Sequence, residues 1–234
     1  MMFGRIVVIT MCLVFIHGAP SSITPATAPS VCGNKNYRKW HVSCGNPCKP
    51  AKESTTTEIK AALGNISLCM KEAQDMIKVL KDKYNTDRIK NSKMVENIES
   101  KTEYAFKNGK IEKDERKVKS SNVTEMIKAD YDSMAAAIMF TEQLRFNEDS
   151  SKLYGQLSKN LNDLSDKLAT ILCDFEIIQC RSGSVPSTNI TCQSTVAGSV
   201  QSWTTEETRI LVEYWVLRDL GKYISVLIPK YELK

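Results

Sequence analysis

Four long stretches with apolar residues three and four apart predict an all-α fold, a long-chain four-helix bundle with up-up-down-down topology and two long crossover loops. Three observations carry that expectation. The apolar steps keep a helical period through each stretch. The connections run long, short, long: a short link forces neighbouring helices antiparallel, and a long crossover returns the chain along the bundle. Cysteines cluster just ahead of the first stretch and around and after the end of the third, where distant segments can be stapled at one end of the bundle.

Ahead of the bundle, Arg5 precedes an apolar run over 6–16, and Gly18-Ala19 follows it, so residues 1–19 read as a secretory signal peptide. The run is short for a membrane span, which needs about 20 apolar residues. No second long apolar run exists, so a secreted, extracellular product without membrane insertion is expected. Residues 20–53 read as a flexible cysteine-bearing strap: 20–30 is Pro, Ser, Thr and Ala, a candidate for O-glycosylation, and 31–53 contains Gly45, Pro47 and Pro50. The bundle domain is then 54–234.

The first helix is expected over about 55–84. Thr55 and Glu58 have capping-box spacing, and Ile59, Leu63, Ile66, Met70, Ala73, Ile77, Leu80 and Tyr84 step alternately by four and three. The crossover behind it is less periodic, although Met94, Val95, Ile98, Thr102, Ala105 and Phe106 allow an amphipathic helix that Asn108-Gly109 would end. The second helix is expected over about 122–146, with Val123, Ile127, Tyr131, Met134, Ile138, Thr141 and Leu144 inward and three consecutive alanines from Ala135 favouring helix. Residues 147–150 form the short break, where Asp149 or Ser150 would cap a third helix over about 150–180. Its stripe is Leu153, Leu157, Leu161, Leu164, Leu168, Ile171, Phe175 and Ile178. After a second long loop, Thr204 and Glu207 form another capping box, and the last helix is expected over about 204–228, stopping before Pro229. Ile210, Tyr214, Leu217, Gly221, Ile224 and Ile228 face inward. Val212, Val216 and Tyr223 fall on the opposite side with Trp215 beside them. Either another part of the chain or a partner surface must cover that second side.

Composition narrows the function. Lys and Arg number 32 against 27 Asp and Glu, a formal charge of +5 that becomes +4 once Arg5 leaves with the leader. The signs are interleaved, and no basic stripe of the nucleic-acid-binding kind exists. The densest charged run, 107–119, reads as a solvated loop rather than a heparin-type patch. Catalysis is not expected. The mature chain keeps His41 alone, in the strap, and has no Gly-rich phosphate loop or Gly-x-Ser-x-Gly elbow. Glu148-Asp149 and Glu206-Glu207 sit at helix starts, where the helix dipole already accounts for them. No metal or other cofactor is implied.

Of eight cysteines, Cys12 leaves with the leader. Cys32, Cys44, Cys48, Cys69, Cys173, Cys180 and Cys192 remain, an odd number, so at least one stays free or pairs between molecules. No Cys-x-x-Cys pair supports zinc. Asn65, Asn122 and Asn189 head Asn-x-Ser/Thr sequons; Asn189, in a Ser-, Gly- and Pro-rich loop, is the best glycan candidate, and Asn65 lies within the first helix.

Several stretches resemble the interleukin-6 superfamily, in particular the leukaemia inhibitory factor, oncostatin M and ciliary neurotrophic factor branch with its fish members. They are residues 161–173 (LNDLSDKLATILC), the Leu220-Gly221-Lys222-Tyr223 stretch of the last helix, and the Cys44-Gly-Asn-Pro47-Cys48 element ahead of the first helix. They occur in the family's order, and the resemblance covers most of 44–228. It implies a secreted, monomeric cytokine that binds a gp130-type receptor and a second chain similar to the leukaemia inhibitory factor receptor. The outer faces of the first and third helices would be the gp130-type contact. Trp203, Val212, Trp215 and Val216, around the start of the last helix, are the candidates for the second receptor, since aromatic anchors dominate such contacts. The resemblance also implies pairing of Cys48 with Cys173, and of Cys44 or Cys32 with Cys180. Cys69 and Cys192 are then left over, either paired together or with Cys69 as a buried thiol.

Two departures stand out. The family's disulfide between the last helix and the first crossover has neither partner here. Its Phe-x-x-Lys receptor motif falls on Ile210 and Glu213, with Trp203 the nearest aromatic. The competing class is a disulfide-stapled helical carrier of an apolar small ligand, which requires a cavity inside the bundle.

Overall fold

The computed structural model describes residues 31, 32, 34–37, 39–41, 44, 56–101, 123–150, 157–184, 192, 195, 196 and 205–232. The regular elements among them are all helical. Two 3₁₀ turns, Lys35–Tyr37 and Lys39–His41, precede helix α1, Thr56–Lys83, which a π-helical segment, Tyr84–Ile89, extends. There follow α2, Ser92–Ser100; α3, Val123–Ser150; α4, Ser158–Arg181; and α5, Glu206–Tyr231. The signal-peptide reading, most of the strap, and the sequons Asn122 and Asn189 lie outside the described residues.

The helices form one bundle whose core is the set of seam positions. Leu63, Ile66, Met70 and Ile77 of α1, with Tyr84 of the π-helical segment, meet Leu161, Leu164, Leu168, Ile171 and Phe175 of α4 and Leu217, Leu220 and Ile224 of α5 in a single buried cluster. Polar pairs give the sense of each packing. Along α1 and α4, Asn65 meets Asp174 (2.5 Å), Glu72 meets Lys167 (2.6 Å) and Lys83 meets Asn160 (3.4 Å). Along α3 and α4, Tyr131 donates to Glu176 (2.5 Å) and Arg145 reaches Asn162. Lys71 meets Glu232 (2.8 Å) near one end of the α1–α5 pair, and Tyr84 meets Glu213 (3.3 Å) towards the other. Asp130 with Tyr231 (2.6 Å) and Asn147 with Glu213 (2.7 Å) do the same for α3 and α5. For each of these helix pairs the residue numbers rise along one helix as they fall along its neighbour. Between them, α1 and α5 approach closely at Gly221, where a Cβ would stand 3.3 Å from Ile77 Cγ2.

Three boundaries depart from the sequence reading. Residues 147–150 are not a break: they are the last turn of α3, and α4 starts at Ser158. The Asn, Asp and Ser that signal a turn are held helical by tertiary partners. Asn147 bridges Gln143 (2.8 Å) and Glu213, and Glu148 pairs with Arg88 (3.0 Å), both buried. Asp149, expected to cap the next helix, accepts instead from Tyr37 Oη (2.5 Å) and from Ser158 Oγ. Second, α5 is capped one residue later than Thr204, by Thr205, whose Oγ1 accepts from Thr208 N (3.2 Å). Third, α5 runs through Pro229 to Tyr231. Proline there forfeits one backbone donor, and the next two side chains hold the turn: Lys230 Nζ lies 2.7 Å from Asp130, and Tyr231 is fully buried against Phe175 while donating to the same carboxylate.

Candidate functional site

Of the four residues expected to meet a second receptor, the structure leaves two in play. Trp203 lies outside the described residues. Val212 and Trp215 are half-buried on α5. Val216 is 1 % exposed and belongs to the core, so its assignment as a receptor contact is corrected. Position 216 reads as outward only if α5 has one inner face, and α5 is packed on both. Tyr223, on the same side, is buried and donates from Oη to the Asp130 carbonyl of α3 (3.3 Å).

Part of the remaining cover over α5 comes from α2, which follows the π-helical segment that also packs on α5. Tyr214 Oη donates to Glu99 (2.8 Å), a carboxylate that Lys81 of α1 also holds at 2.6 Å. Arg218 is buried; it donates to the carbonyls of Ile98 and Lys101 (3.0 Å to the latter) and pairs with Asp219 at 2.5 Å. These carbonyls lie at the C-terminal end of α2, where the Ile98 one also accepts the Lys101 backbone N–H (3.2 Å). Lys101 Nζ then sits 4.3 Å from the centroid of the Trp215 ring, in cation–π geometry. The second apolar side of α5 is thus covered largely by the same chain.

A different surface is left bare. Leu68 is 55 % exposed and Val79 46 % exposed, the two most exposed large apolar side chains among the described residues. Eleven positions apart on α1, they differ by about 20° around the helix. They share a stripe with Glu72, Met76 and Lys83, and Glu72 and Lys83 are the residues that reach α4. A shallow groove of about 230 Å³ lined by Asp75, Met76, Val79 and Asn160 marks the seam. The sequence reading passes over Leu68 and Val79 because they fall outside the α1 seam pattern; their eleven-residue separation was the available signal.

The strap is tied to the bundle differently from the pairing the resemblance implies. Cys44, not Cys48, bonds Cys173, and Cys32 bonds Cys192. Cys180 is also disulfide-bonded, with its partner outside the described residues. Cys192 is therefore not available to Cys69, which stays a free buried thiol, its pKa pushed up chiefly by burial. Between the two crosslinks, Tyr37 packs edge-on to Phe146 (5.4 Å) and under the Arg145 guanidinium (4.3 Å), and Lys39 pairs with Asp166 of α4 (2.6 Å). Burial and the Asp149 bond raise the Tyr37 phenol to about 12. Among the sequons, Asn65 is exposed, but its Nδ2, the atom a glycan would take, donates to Asp174.

The position matching the family's receptor lysine turns inward. Glu213 is 2 % exposed, and Oε1 accepts from Asn147 while Oε2 accepts from Tyr84. Ile210 is half-buried and packs against the core. A Phe-x-x-Lys style of contact therefore has no equivalent at 210 and 213. Comparison of the chain with protein-family models, curated proteins and solved structures finds no match. No described helix is long and apolar enough to cross a membrane.

Proposed function

We propose that this chain is a secreted long-chain cytokine of up-up-down-down topology, similar to the interleukin-6 superfamily. It would act by bridging a gp130-type receptor and a second chain similar to the leukaemia inhibitory factor receptor. The observation that carries the reading is the exposed Leu68–Val79 stripe at the α1–α4 seam of an otherwise closed, disulfide-tied bundle. Large apolar side chains bared on a rigid helix, with charged neighbours around them, are what a protein-docking face requires. The opposite senses of the α1–α4, α3–α4, α1–α5 and α3–α5 packings support the topology. The seam is the pair of outer helix faces on which the resemblance puts the gp130-type contact. Val212 and Trp215 remain the candidates for the second receptor, with Trp203 ahead of them in sequence.

The test is a reporter assay in cells bearing the gp130-type receptor with and without the second chain. The folded protein should activate only where both are present, and Leu68→Glu with Val79→Glu should abolish the response while leaving the helical circular dichroism spectrum unchanged. Silence of the wild-type protein in every receptor combination sinks the reading. Full activity of the double variant would move the face elsewhere.

A further inference from the structure

Glu213 lies where the far ends of α1 and α3 meet the second turn of α5. Among the described residues, the polar and charged groups that face it come from α5, α3 and the π-helical segment. From the π-helical segment, Tyr84 donates to Oε2 at 3.3 Å, and from α3, Asn147 donates to Oε1 at 2.7 Å. Both donors are neutral. Arg209, one turn earlier on α5, is the nearest cation: its Nε stands 3.6 Å from Oε1, makes no hydrogen bond, and is shared with Glu206 through Nη2 at 3.8 Å. Behind them, Glu148 of α3 is paired with Arg88 of the π-helical segment, so its neighbouring negative charge opposes a second one at Glu213. No described α4 side chain is bonded to the carboxyl. The contacts continue outward from Asn147 to Gln143 (2.8 Å), and from Gln143 to the backbone N–H of Val31 in the strap (2.9 Å).

Such a site fits a neutral carboxyl better than a carboxylate. A protonated Glu213 can accept from Asn147 and exchange a hydrogen bond with Tyr84 with no charge to bury. An ionised one leaves a full charge among neutral donors, with its counterion misaligned. The accessible relief is outward: the first turns of α5 are exposed from Thr205 to Thr208, and they carry Arg209 with them.

We infer that Glu213 is a proton-operated latch on the start of α5, closed when its carboxyl is protonated and loosened when it ionises. Burial raises the Glu213 pKa from 4.5 to about 7, against the lowering effects of Asn147, Arg209 and Tyr84, so the switch falls near neutrality. The folded state holds a proton that the unfolded chain has already released. The stabilisation is therefore complete below 4.5 and is lost as pH rises through about 7. The latch acts on the segment that carries Val212 and Trp215, but its operation requires no receptor.

Amide hydrogen exchange, read by mass spectrometry on the full chain at pH 5.5 and 8.0 and corrected for the intrinsic pH dependence of exchange, tests it. Peptides from 206–216 should lose protection at least tenfold at the higher pH while those from 158–181 hold theirs. Glu213→Gln should reduce the difference to within twofold. Equal protection of the wild type at both values overturns the latch, and so does an unchanged pH response in the Gln variant. Should Glu213→Gln fail to fold, Arg209→Gln serves: loss of the nearest described cation should move the transition to higher pH, and a transition that stays put or moves down overturns the proposal.

Discussion

Removing the Cys32–Cys192 crosslink tests whether the disulfides act as nested loops. The two bonds close separations of 160 and 129 residues, and both ends of the shorter loop lie inside the longer. With Cys44–Cys173 intact, the outer bond constrains only the difference, 160 − 129 = 31 residues. Chain entropy for a loop of that size is worth about 3.7 kcal/mol, against about 5 kcal/mol if the full separation counted. The double variant Cys32→Ser, Cys192→Ser should therefore lose about 3 to 4 kcal/mol in equilibrium urea unfolding under non-reducing conditions, followed by helical circular dichroism. A loss below about 1 kcal/mol, or one near the 5 kcal/mol of the full separation, would refute the nested arrangement.

Two further outcomes follow from the polar contacts. Tyr231→Phe should cost about 1 kcal/mol for the buried bond to Asp130, and Tyr231→Ala about 3 kcal/mol or more, with faster amide exchange confined to the turn beyond Pro229; an unaffected turn would mean that Tyr231 does not hold it. Burial pushes the Glu99 carboxyl up, but the bonds from Lys81 and Tyr214 and the Lys81 charge outweigh it, so its pKa lies below 4.5. The contribution is present above the ordinary carboxylate value and disappears as pH falls through the lowered one. Glu99→Gln should flatten the acid limb of the thermal-stability profile and leave the region above pH 6 parallel to wild type; an unchanged acid limb refutes the assignment.

The seams of α1 and α4 were legible because each has essentially one buried face. All the positions from Leu63 to Tyr84, and from Leu157 to Ile178, that step by three and four are buried. The same argument works less well for α3 and α5. Nineteen residues of α3 are buried, Glu142, Gln143, Asn147 and Glu148 among them. A residue's polarity stops reporting its side once strap, α4 and α5 surround the helix. That is why the local pattern puts the break four residues too early and reads Val216 as outward. Residues of the candidate site split the same way. Trp215 was recognisable as lying off the core face, but its cover by Lys101 depends on where α2 docks, which no local pattern encodes. The disulfide partners were beyond reach for a related reason: the spacing of Cys173 and Cys180 places both on one helix face, and only the path of the strap decides which one Cys44 meets.

The covering of α5 also bears on which face can act as a primary docking surface. A partner that used the Trp215 side would have to share or displace α2, whose hold includes two carbonyl bonds to the buried Arg218, the Tyr214–Glu99 bond and the Lys101 contact. Each such bond is worth about 1 kcal/mol, more when charged, so displacement is costly. The Leu68–Val79 stripe carries no such cover and buries apolar area on docking without breaking anything. On the proposed receptor-bridging reading, the uncovered face is expected to be used first. Binding to the isolated receptor domains by surface plasmon resonance should show an independent site on the α1–α4 seam, insensitive to Trp215→Ala but lost with Leu68→Glu and Val79→Glu. If Trp215→Ala abolished that first binding event instead, α2 would not be the barrier that its contacts with Arg218 make it.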